Sequence, residues 1–280
     1  MNSKVKGKSQ KANVQITSFQ EAVNKYWRDE GRHTLPWRQT TDPYKILVSE
    51  IMLQQTQVER VIPYYKAFLK KYPNVRALAK SNLADVLKLW SGLGYNRRAK
   101  LLRDCAQEVV EKYTGKFPKD RALLVALPGI GPYTAGAIRA FAFNEPEIFI
   151  ETNIRTALLH HFFPRAKKVD DKKMLPILEN VSEGQDSREW YSALMDYGAH
   201  LKKSGVKLNQ KSVHYAKQSK FEGSLRQLRG KLLRRLMDGP ITRGTFKKID
   251  AKNAYQISMA LQGMEQEGLV VKKKDTWNIA

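Results

Sequence analysis

Helical periodicity runs through nearly the whole of this 280-residue chain, and it constrains the fold more than any other feature of the sequence. Apolar residues recur at intervals of three and four, whereas sustained alternation of apolar and polar residues is rare. The sequence therefore predicts a mainly α protein. We expect the first helix to begin at Ser18, because Ser18 and Glu21 match a capping-box pattern. Later helices are expected near residues 43–52, 57–72, 84–90, 97–113, 121–127, 133–143, 153–161 and 172–200.

The pattern changes near residue 221, where a basic amphipathic helix is followed by two shorter helical stretches. Two short apolar segments then flank a charged turn at residues 272–275, which is typical of a small hairpin. Three helices closed by a hairpin resemble a winged helix, which binds either DNA or proteins, and the sequence leaves both open. We therefore predict a disordered basic arm at residues 1–12, a main helical domain at 13–220 and a winged-helix-like domain at 221–280.

The charge balance indicates the class of partner. Fifty Lys and Arg residues against 27 Asp and Glu residues give a formal net charge of +23. Such a charge favours a polyanion, and we expect nucleic acid rather than a membrane surface. A ribosome-associated protein, or a basic surface that is simply solvated, is the alternative. No apolar run approaches a bilayer-spanning length and no secretory signal is recognisable, so we expect a cytoplasmic, nucleoid-associated protein.

Cys105 is the only cysteine of the chain. An internal disulfide and a cysteine-based metal or cluster site are therefore excluded. Cys105 shares a helical face with Leu101, Leu102 and Val109, which predicts a buried structural thiol and not a nucleophile.

A glycine-punctuated hairpin, Leu-Pro-Gly-Ile-Gly-Pro-Tyr-Thr-Ala-Gly, occupies residues 127–136 and leads into a helix of small residues. Gly129 and Gly131 lack a Cβ atom, so the backbone can approach an anion closely. Pro132 suits the first turn of the following helix, whose N–H groups favour an anion. This segment predicts a phosphate-binding hairpin between two helices, although a Pro-Gly turn is also ordinary punctuation.

Two carboxylates lie in unlike environments. Glu50 is set among aliphatic residues of a predicted helix, and burial there favours the protonated acid that can donate a proton. Glu151 follows an apolar stretch and precedes a helix, where the N–H groups favour the ionised form. Cleavage of a glycosidic bond through a sugar cation needs such a pair. The alternatives are that Glu50 reaches solvent or pairs with a lysine, and that Glu151 only caps its helix.

A group of glutamines and an aromatic residue suggest a DNA wedge. Gln54, Gln55 and Gln57 follow Glu50 at a helix end, and Tyr95 lies in a Gly-Leu-Gly-Tyr turn. Amides and aromatic rings can fill the gap that a flipped base leaves in a duplex. For the nearby Trp90 we favour a place in the core.

These motifs together resemble the helix-hairpin-helix DNA glycosylases, and within them the adenine glycosylase MutY branch. The resemblance covers roughly residues 30–200. It implies two helical lobes with DNA between them, a flipped base and hydrolysis of its N-glycosidic bond. We accordingly expect residues 13–220 to be the bilobal glycosylase domain, with its helix-hairpin-helix at about 121–143. The most specific segments are Leu35–Arg38, Ser49–Val58, Gly92–Tyr95, Leu127–Gly136 and Leu194–Gly198.

The resemblance implies a role for each site residue. Glu50 matches the acid that protonates the leaving adenine, and Glu151 falls where the family usually has the Asp that stabilises the sugar cation. Asn153 matches the Asn that supports that carboxylate, and Tyr133 an active-site Tyr. Relatives with lyase activity carry a Lys at position 133, so hydrolysis with weak or no strand cleavage is expected, and elimination by another Lys stays open. The residues that we expect to contact DNA are Arg38, Gln54, Gln55, Gln57, Tyr95, Leu127, Gly129, Gly131 and Thr134.

Three departures from the family pattern stand out. The family usually has four cysteines around an iron-sulfur cluster, and an ungapped reading places residues there that cannot replace thiolates: Lys202, Asn209, Ser212 and Gln218. The chain also has no match to the C-terminal domain with which MutY reads 8-oxoguanine. Glu151, finally, is one methylene longer than Asp.

We therefore expect a clusterless enzyme without cofactor or metal, whose basic loop binds phosphate through Lys202, Lys203, Lys207 and Lys211. The expected function is base excision repair, with removal of adenine mispaired with 8-oxoguanine or guanine in duplex DNA by a monomer that has no membrane partner. The alternatives are a thymine or uracil mismatch glycosylase of the same fold and a non-catalytic binder of damaged DNA.

Overall fold

The computed structural model describes residues 3–206, 208–213, 215, 220–249 and 254–280, with the backbone alone described at 3–12 and 247–248. Two compact units make up the chain. One comprises Met1–Ile46 and Gly131–Lys217, and the other comprises Leu47–Ile130 and Gln218–Ala280. In the described part of the chain, no helix is long and apolar enough to cross a membrane.

The described residues form a mainly α protein, as the sequence predicts. The helices are α1 Ser3–Glu30, α2 Pro43–Leu53, α3 Val58–Lys71, α4 Val75–Ala79, α5 Leu83–Trp90, α6 Arg97–Tyr113, α7 Arg121–Val125, α8 Pro132–Phe143, α9 Thr152–Phe162, α10 Asp171–Ser182, α11 Ser187–Lys203, α12 Leu225–Met237, α13 Phe246–Ile249 and α14 Ala254–Gln266. The strands are β1 Ile241–Thr242, β2 Val270–Lys273 and β3 Thr276–Ile279.

Two expectations about helix ends are wrong. Helix α1 begins at Ser3, so Ser18 lies inside the helix, and residues 3–12 are helical where we expected a disordered arm. This segment contains no proline, and it extends a helix that is already nucleated. The single helix expected at 172–200 is two helices, because Gly184 has a φ of 73° and Asp186 caps the start of α11.

The first unit packs α9, α10 and α11 around a large apolar core. The ring of Phe149 stacks on Tyr191 with their centroids 4.0 Å apart, and Trp190 is buried beside them. Helices α9 and α11 approach most closely at Gly198, where a Cβ atom would lie 2.0 Å from the carbonyl oxygen of Asn153. Only glycine permits this contact, which fixes the start of α9 against α11.

A buried ion-pair network also stabilises the first unit. Asp196 of α11 accepts hydrogen bonds from Arg32 and from Arg38, the latter in the 3-10 turn Pro36–Arg38. Burial alone would raise the pKa of the Asp196 carboxyl, but the two guanidinium groups outweigh it and hold that pKa below its ordinary value. The guanidinium of Arg38 also lies 4.9 Å from the ring centroid of Trp27.

The second unit has a core of its own around α5 and α6. Trp90 is fully buried, as we predicted, and its ring contacts Phe68 edge-on at 6.1 Å. Cys105 is also fully buried, and burial raises the pKa of its thiol to about 12. This thiol is the structural residue that the sequence indicated.

The C-terminal segment has the order helix, strand, two helices and two strands. Its three antiparallel strands lie in the order β1-β3-β2, with Ile241 opposite Trp277 and Val270 opposite Ile279. This arrangement is winged-helix-like, as predicted. The segment does not stand apart, however, because it belongs to the same compact unit as residues 47–130.

Candidate catalytic and DNA-binding residues

Glu50 lies near the end of α2, and only 6% of the residue is exposed. The aliphatic neighbours Leu47 and Ile51 on the same helix are also buried. The placement of Glu50 agrees with an acid in apolar surroundings and argues against a side chain that reaches solvent.

Arg98 ties the glutamine segment to the Tyr95 turn. Its Nη1 atom donates to the backbone oxygens of Ile51, at 2.6 Å, and of Gln54, while Nη2 donates to the Gly94 oxygen at 3.2 Å. Burial lowers the pKa of the Arg98 guanidinium to about 10. Our sequence interpretation assigned Arg98 no role, although it brings the end of α2 together with the turn that carries Tyr95.

The four predicted wedge residues lie at or beside this junction. Gln55 is exposed and has a φ of 58°, which places it in a tight turn just after α2. Gln54 is half-buried, and Gln57 is the exposed residue that precedes α3. Tyr95 is 37% exposed and has a φ of 49°. Such conformations are uncommon for residues other than glycine and often occur at functional sites.

The hairpin that follows α7 has the geometry expected of a tight turn. The N–H of Ile130 donates to the Leu127 oxygen at 3.2 Å, and Gly129 has a φ of 74°. A Cβ atom on Gly129 would lie 2.8 Å from Cβ of Leu101, so this position also requires glycine for space. Leu127 is only 2% exposed, so its side chain anchors the hairpin in the core, and the predicted DNA contact falls to backbone groups.

Helix α8 begins directly after Gly131, which has an extended backbone and no side-chain cap, with Pro132 as the first helical residue. A Cβ atom on Gly131 would meet nothing within 4 Å. The first N–H groups of any helix lack an intrahelical acceptor, so the amides of this turn suit an anion. Thr134 is 2% exposed, so its side chain is buried and only its backbone is available for the predicted DNA contact. The Tyr133 ring packs edge-on against Phe149 at 5.6 Å.

Glu151 caps α9. Its Oε1 atom accepts hydrogen bonds from the N–H groups of Asn153 at 2.6 Å and Ile154 at 2.8 Å, and Oε2 accepts one from the Thr152 hydroxyl at 3.0 Å. The capping role that we left open is thus present. It fixes the carboxylate against the positive end of a helix dipole, and the extra methylene relative to Asp is accommodated in this cap.

Asn153 has a partner that the sequence interpretation did not foresee. The ammonium of Lys202, on α11, donates to Asn153 Oδ1 at 2.6 Å. Burial lowers the pKa of Lys202, although the negative charge of Glu151 partly opposes this effect. Because an ammonium group can only donate, this contact orients the Asn153 amide with its oxygen towards Lys202 and its NH₂ group away from Lys202.

The segment at the expected cluster positions is held by hydrogen bonds. Asn209 accepts from the Thr156 hydroxyl at 3.0 Å, and Ser212 pairs with Val169 in an isolated parallel β-bridge. Lys211 donates to the Pro164 oxygen at 2.7 Å. Gln218 and Lys207 lie outside the described residues. The chain has a single cysteine, and in the described part no cluster of His, Cys, Asp and Glu could hold a metal ion. These residues do not fit an iron-sulfur cluster.

Three residues that we expected to contact DNA also bind groups of the protein. We expected Arg38 to bind DNA, but its guanidinium is committed to Asp196 and to the Ser192 oxygen in a mostly buried site. We expected Lys202 and Lys211 to bind phosphate, and both amines donate to groups of the protein. Lys203 is exposed. Arg38 stabilises the fold, because the buried carboxylate of Asp196 needs positively charged hydrogen-bond donors.

Known proteins place the chain in a family. A family model described as HhH-GPD superfamily base excision DNA repair protein matches residues 48–182, a range that contains Glu50, Tyr133, Glu151 and Asn153. An adenine DNA glycosylase of Mycolicibacterium smegmatis is 33% identical over 271 residues, which cover 89% of this chain and 92% of that protein. The chain belongs to the adenine DNA glycosylase family.

Other members of the adenine DNA glycosylase family are longer. The adenine DNA glycosylase of Buchnera aphidicola subsp. Baizongia pistaciae is 39% identical over 193 residues, but the match covers 68% of this chain and 55% of that protein. The chain therefore spans about half the length of that curated relative. Among solved structures, a thermostable thymine-DNA glycosylase matches with a TM-score of 0.59 and 27% identity, covering 67% of this chain and 87% of that one.

Proposed function

We propose that this protein is a monofunctional adenine DNA glycosylase, which hydrolyses the N-glycosidic bond of adenine opposite 8-oxoguanine or guanine in duplex DNA. The observation that carries the proposal is the match to the mycobacterial adenine DNA glycosylase along 92% of its length. The buried acid Glu50 and the exposed turn of Gln55 and Tyr95, all within the second unit, support it.

In the proposed reaction, Glu50 gives its proton to the departing base and so weakens the bond between base and sugar. The carboxylate of Glu151 stabilises the positive charge that develops on the sugar. Asn153 keeps its amide in place through the hydrogen bond from Lys202. Water then adds to the sugar carbon and loses a proton, which replaces the one that Glu50 gave up. The products are free adenine and an abasic site.

We propose that the enzyme hydrolyses the glycosidic bond and does not cleave the DNA strand. A lyase needs an amine that forms a Schiff base with the sugar, and position 133 carries a tyrosine, which cannot do so. We propose that the DNA backbone remains intact until another agent cleaves it. We propose that backbone N–H groups of the turn at Gly129 bind phosphate, and that those at the start of α8 after Gly131 do so as well.

We propose further that the enzyme works as a monomer without an iron-sulfur cluster, on chromosomal DNA in the nucleoid. The single cysteine, which is buried and weakly acidic, supports the absence of a cluster. Metal analysis of the purified protein should find less than one iron per chain, and four irons per chain would contradict this part of the proposal.

Four duplexes test the substrate. Each carries one mispair, with adenine opposite 8-oxoguanine, adenine opposite guanine, thymine opposite guanine or uracil opposite guanine. We expect excision from the two adenine duplexes, with strand breaks only after alkali treatment. Strand breaks without alkali would contradict the monofunctional assignment.

A second candidate is a thymine or uracil mismatch glycosylase, which the structural likeness to a thymine-DNA glycosylase favours. Excision confined to the thymine and uracil duplexes would establish this candidate in place of the first. The absence of excision from all four, with preferential binding of a mispaired duplex, would instead point to a non-catalytic binder.

A further inference from the structure

Tyr95 contacts two arginines, one three residues away in the chain and the other far along it. The guanidinium carbons of Arg98 and Arg226 each lie 5.4 Å from the centroid of the Tyr95 ring. Arg226 Nη1 also donates to the Tyr95 hydroxyl at 2.7 Å. Arg98 is immobilised by backbone oxygens, as described above. Arg226 comes from the C-terminal winged-helix-like segment, 131 residues further along the chain.

The position of Arg226 is unfavourable for its own helix. It lies in the first turn of α12, two residues after the cap Ser224, and that turn contains no acidic residue. A positive charge near a helix N-terminus is repelled by the helix dipole. Contact with the Tyr95 hydroxyl and ring offsets this repulsion. The arginine therefore fits a partner outside its own helix better than it fits the helix.

The rest of the segment holds Arg226 in place. Arg229 forms a two-pronged ion pair with Glu267, which connects α12 to the end of α14. At Gly268, a Cβ atom would lie 2.7 Å from Cε of Lys100, so the segment also packs closely on α6. Helices α12 and α5 are in contact as well. The C-terminal segment is thus docked on both sides of the Tyr95 turn.

We propose that Arg226 is a positioning residue, through which the C-terminal segment holds the Tyr95 ring ready to stack on DNA next to the flipped nucleotide. The inference rests on the proposed function, because it assumes that Tyr95 enters the duplex. A ring whose orientation is fixed before binding loses less conformational entropy when it enters the duplex. The same guanidinium adds a positive charge at the point where the DNA backbone approaches.

The experiment compares full-length Arg226→Ala and Arg226→Lys with Arg234→Ala. Arg234 is exposed on the same helix, so this control removes an equal charge without touching Tyr95. Tyr95→Phe is the fourth variant, because it retains the ring and removes only the hydroxyl. The probe is a duplex that contains a non-cleavable adenine analogue opposite 8-oxoguanine, with 2-aminopurine as the neighbouring base. The readouts are its fluorescence, the Kd and the thermal midpoint of the free protein.

We expect Arg226→Ala to weaken binding of the mispaired duplex by roughly fivefold to tenfold and to reduce the fluorescence change. Tyr95→Phe should also weaken binding of the mispaired duplex. The double variant should bind no more weakly than Arg226→Ala, because both changes remove the same hydrogen bond between Arg226 and the Tyr95 hydroxyl. Arg226→Lys should restore part of the effect. Arg234→Ala should alter the Kd for mispaired and fully paired duplexes equally.

Equal effects of Arg226→Ala and Arg234→Ala on both duplexes would overturn the inference, since Arg226 would then act only as a charge. An unchanged fluorescence signal in all variants would also overturn it. Failure of the proposed function is distinguishable, because excision is measured separately on cleavable duplexes. A wild-type protein that stacks on the mispair without excising adenine refutes the proposed function and leaves this inference standing.

Discussion

Replacing Lys202 with methionine removes one hydrogen bond at the site and keeps most of the side-chain volume. The lost contact joins the Lys202 ammonium to Asn153 Oδ1 at 2.6 Å, and a hydrogen bond with a charged donor contributes about 1.5–3 kcal/mol. Part of this loss is offset, because burial already lowers the pKa of Lys202 and the variant no longer buries a charge. We expect a net destabilisation of about 1 kcal/mol, or about 2–4 °C in Tm.

The effect on the reaction should be larger than the effect on stability. Without its donor, the Asn153 amide can rotate, and displacement of a catalytic group by about 1 Å can lower a rate by about a hundredfold. We expect the single-turnover rate of adenine excision by Lys202→Met to fall by roughly tenfold to a hundredfold. The Kd for the mispaired duplex should change by less than about threefold, since the ammonium is directed at a protein group.

The assay is single-turnover excision with enzyme in excess, together with a fluorescence anisotropy titration on the same duplex. Lys203→Met is the matched control, because Lys203 is the exposed next residue of the same helix. A normal rate with a weakened Kd in Lys202→Met would refute this reasoning. It would restore the phosphate contact that the sequence alone indicated.

Three further predictions concern stability and reactivity. Gly198→Ala should destabilise the protein by about 3 kcal/mol, because the new Cβ would lie 2.0 Å from the Asn153 oxygen. The control Gly263→Ala should not destabilise it, because a Cβ atom there would have nothing within 4 Å. Equal urea midpoints of the two variants would contradict this prediction. Burial lowers the pKa of His161 from 6.5 to about 4. Between these pH values the unfolded chain therefore binds more protons than the folded chain does. The free energy of unfolding should accordingly decrease as the pH falls from 6.5 towards 4. His161→Gln should flatten this pH dependence of the unfolding free energy, and an unaltered slope would exclude His161 as its source. The Cys105 thiol should react with a thiol reagent only after unfolding, and rapid labelling of the native protein would contradict its burial.

The helices could largely be predicted because their signals are local. Periodicity and capping residues lie within a few positions of each other, so α2, α6 and α8 begin and end close to the predicted residues. The helix start expected at Ser18 is wrong because α1 continues without a break through the residues before it. The break before α11 had a visible signal in Gly184, which the sequence interpretation passed over.

The residues of the candidate site could be named from the sequence, but the contacts between residues far apart in the chain could not. Glu151 as a cap required only the next three residues. The contacts of Lys202 with Asn153, and of Arg226 with Tyr95, join residues 49 and 131 positions apart. No local pattern encodes such pairs, because they depend on how helices pack. The pairing of Arg38 with Asp196, 158 positions away, could not be predicted for the same reason.

The most direct test of the central claim is the excision rate of Glu50→Gln on a duplex with adenine opposite 8-oxoguanine. Gln has nearly the same shape as the protonated acid and cannot donate a proton to the leaving base. We predict that the single-turnover rate falls by at least about a hundredfold, while the Kd for the same duplex and the Tm remain close to those of the wild type. Excision at the wild-type rate would contradict the assignment of Glu50 as the proton donor.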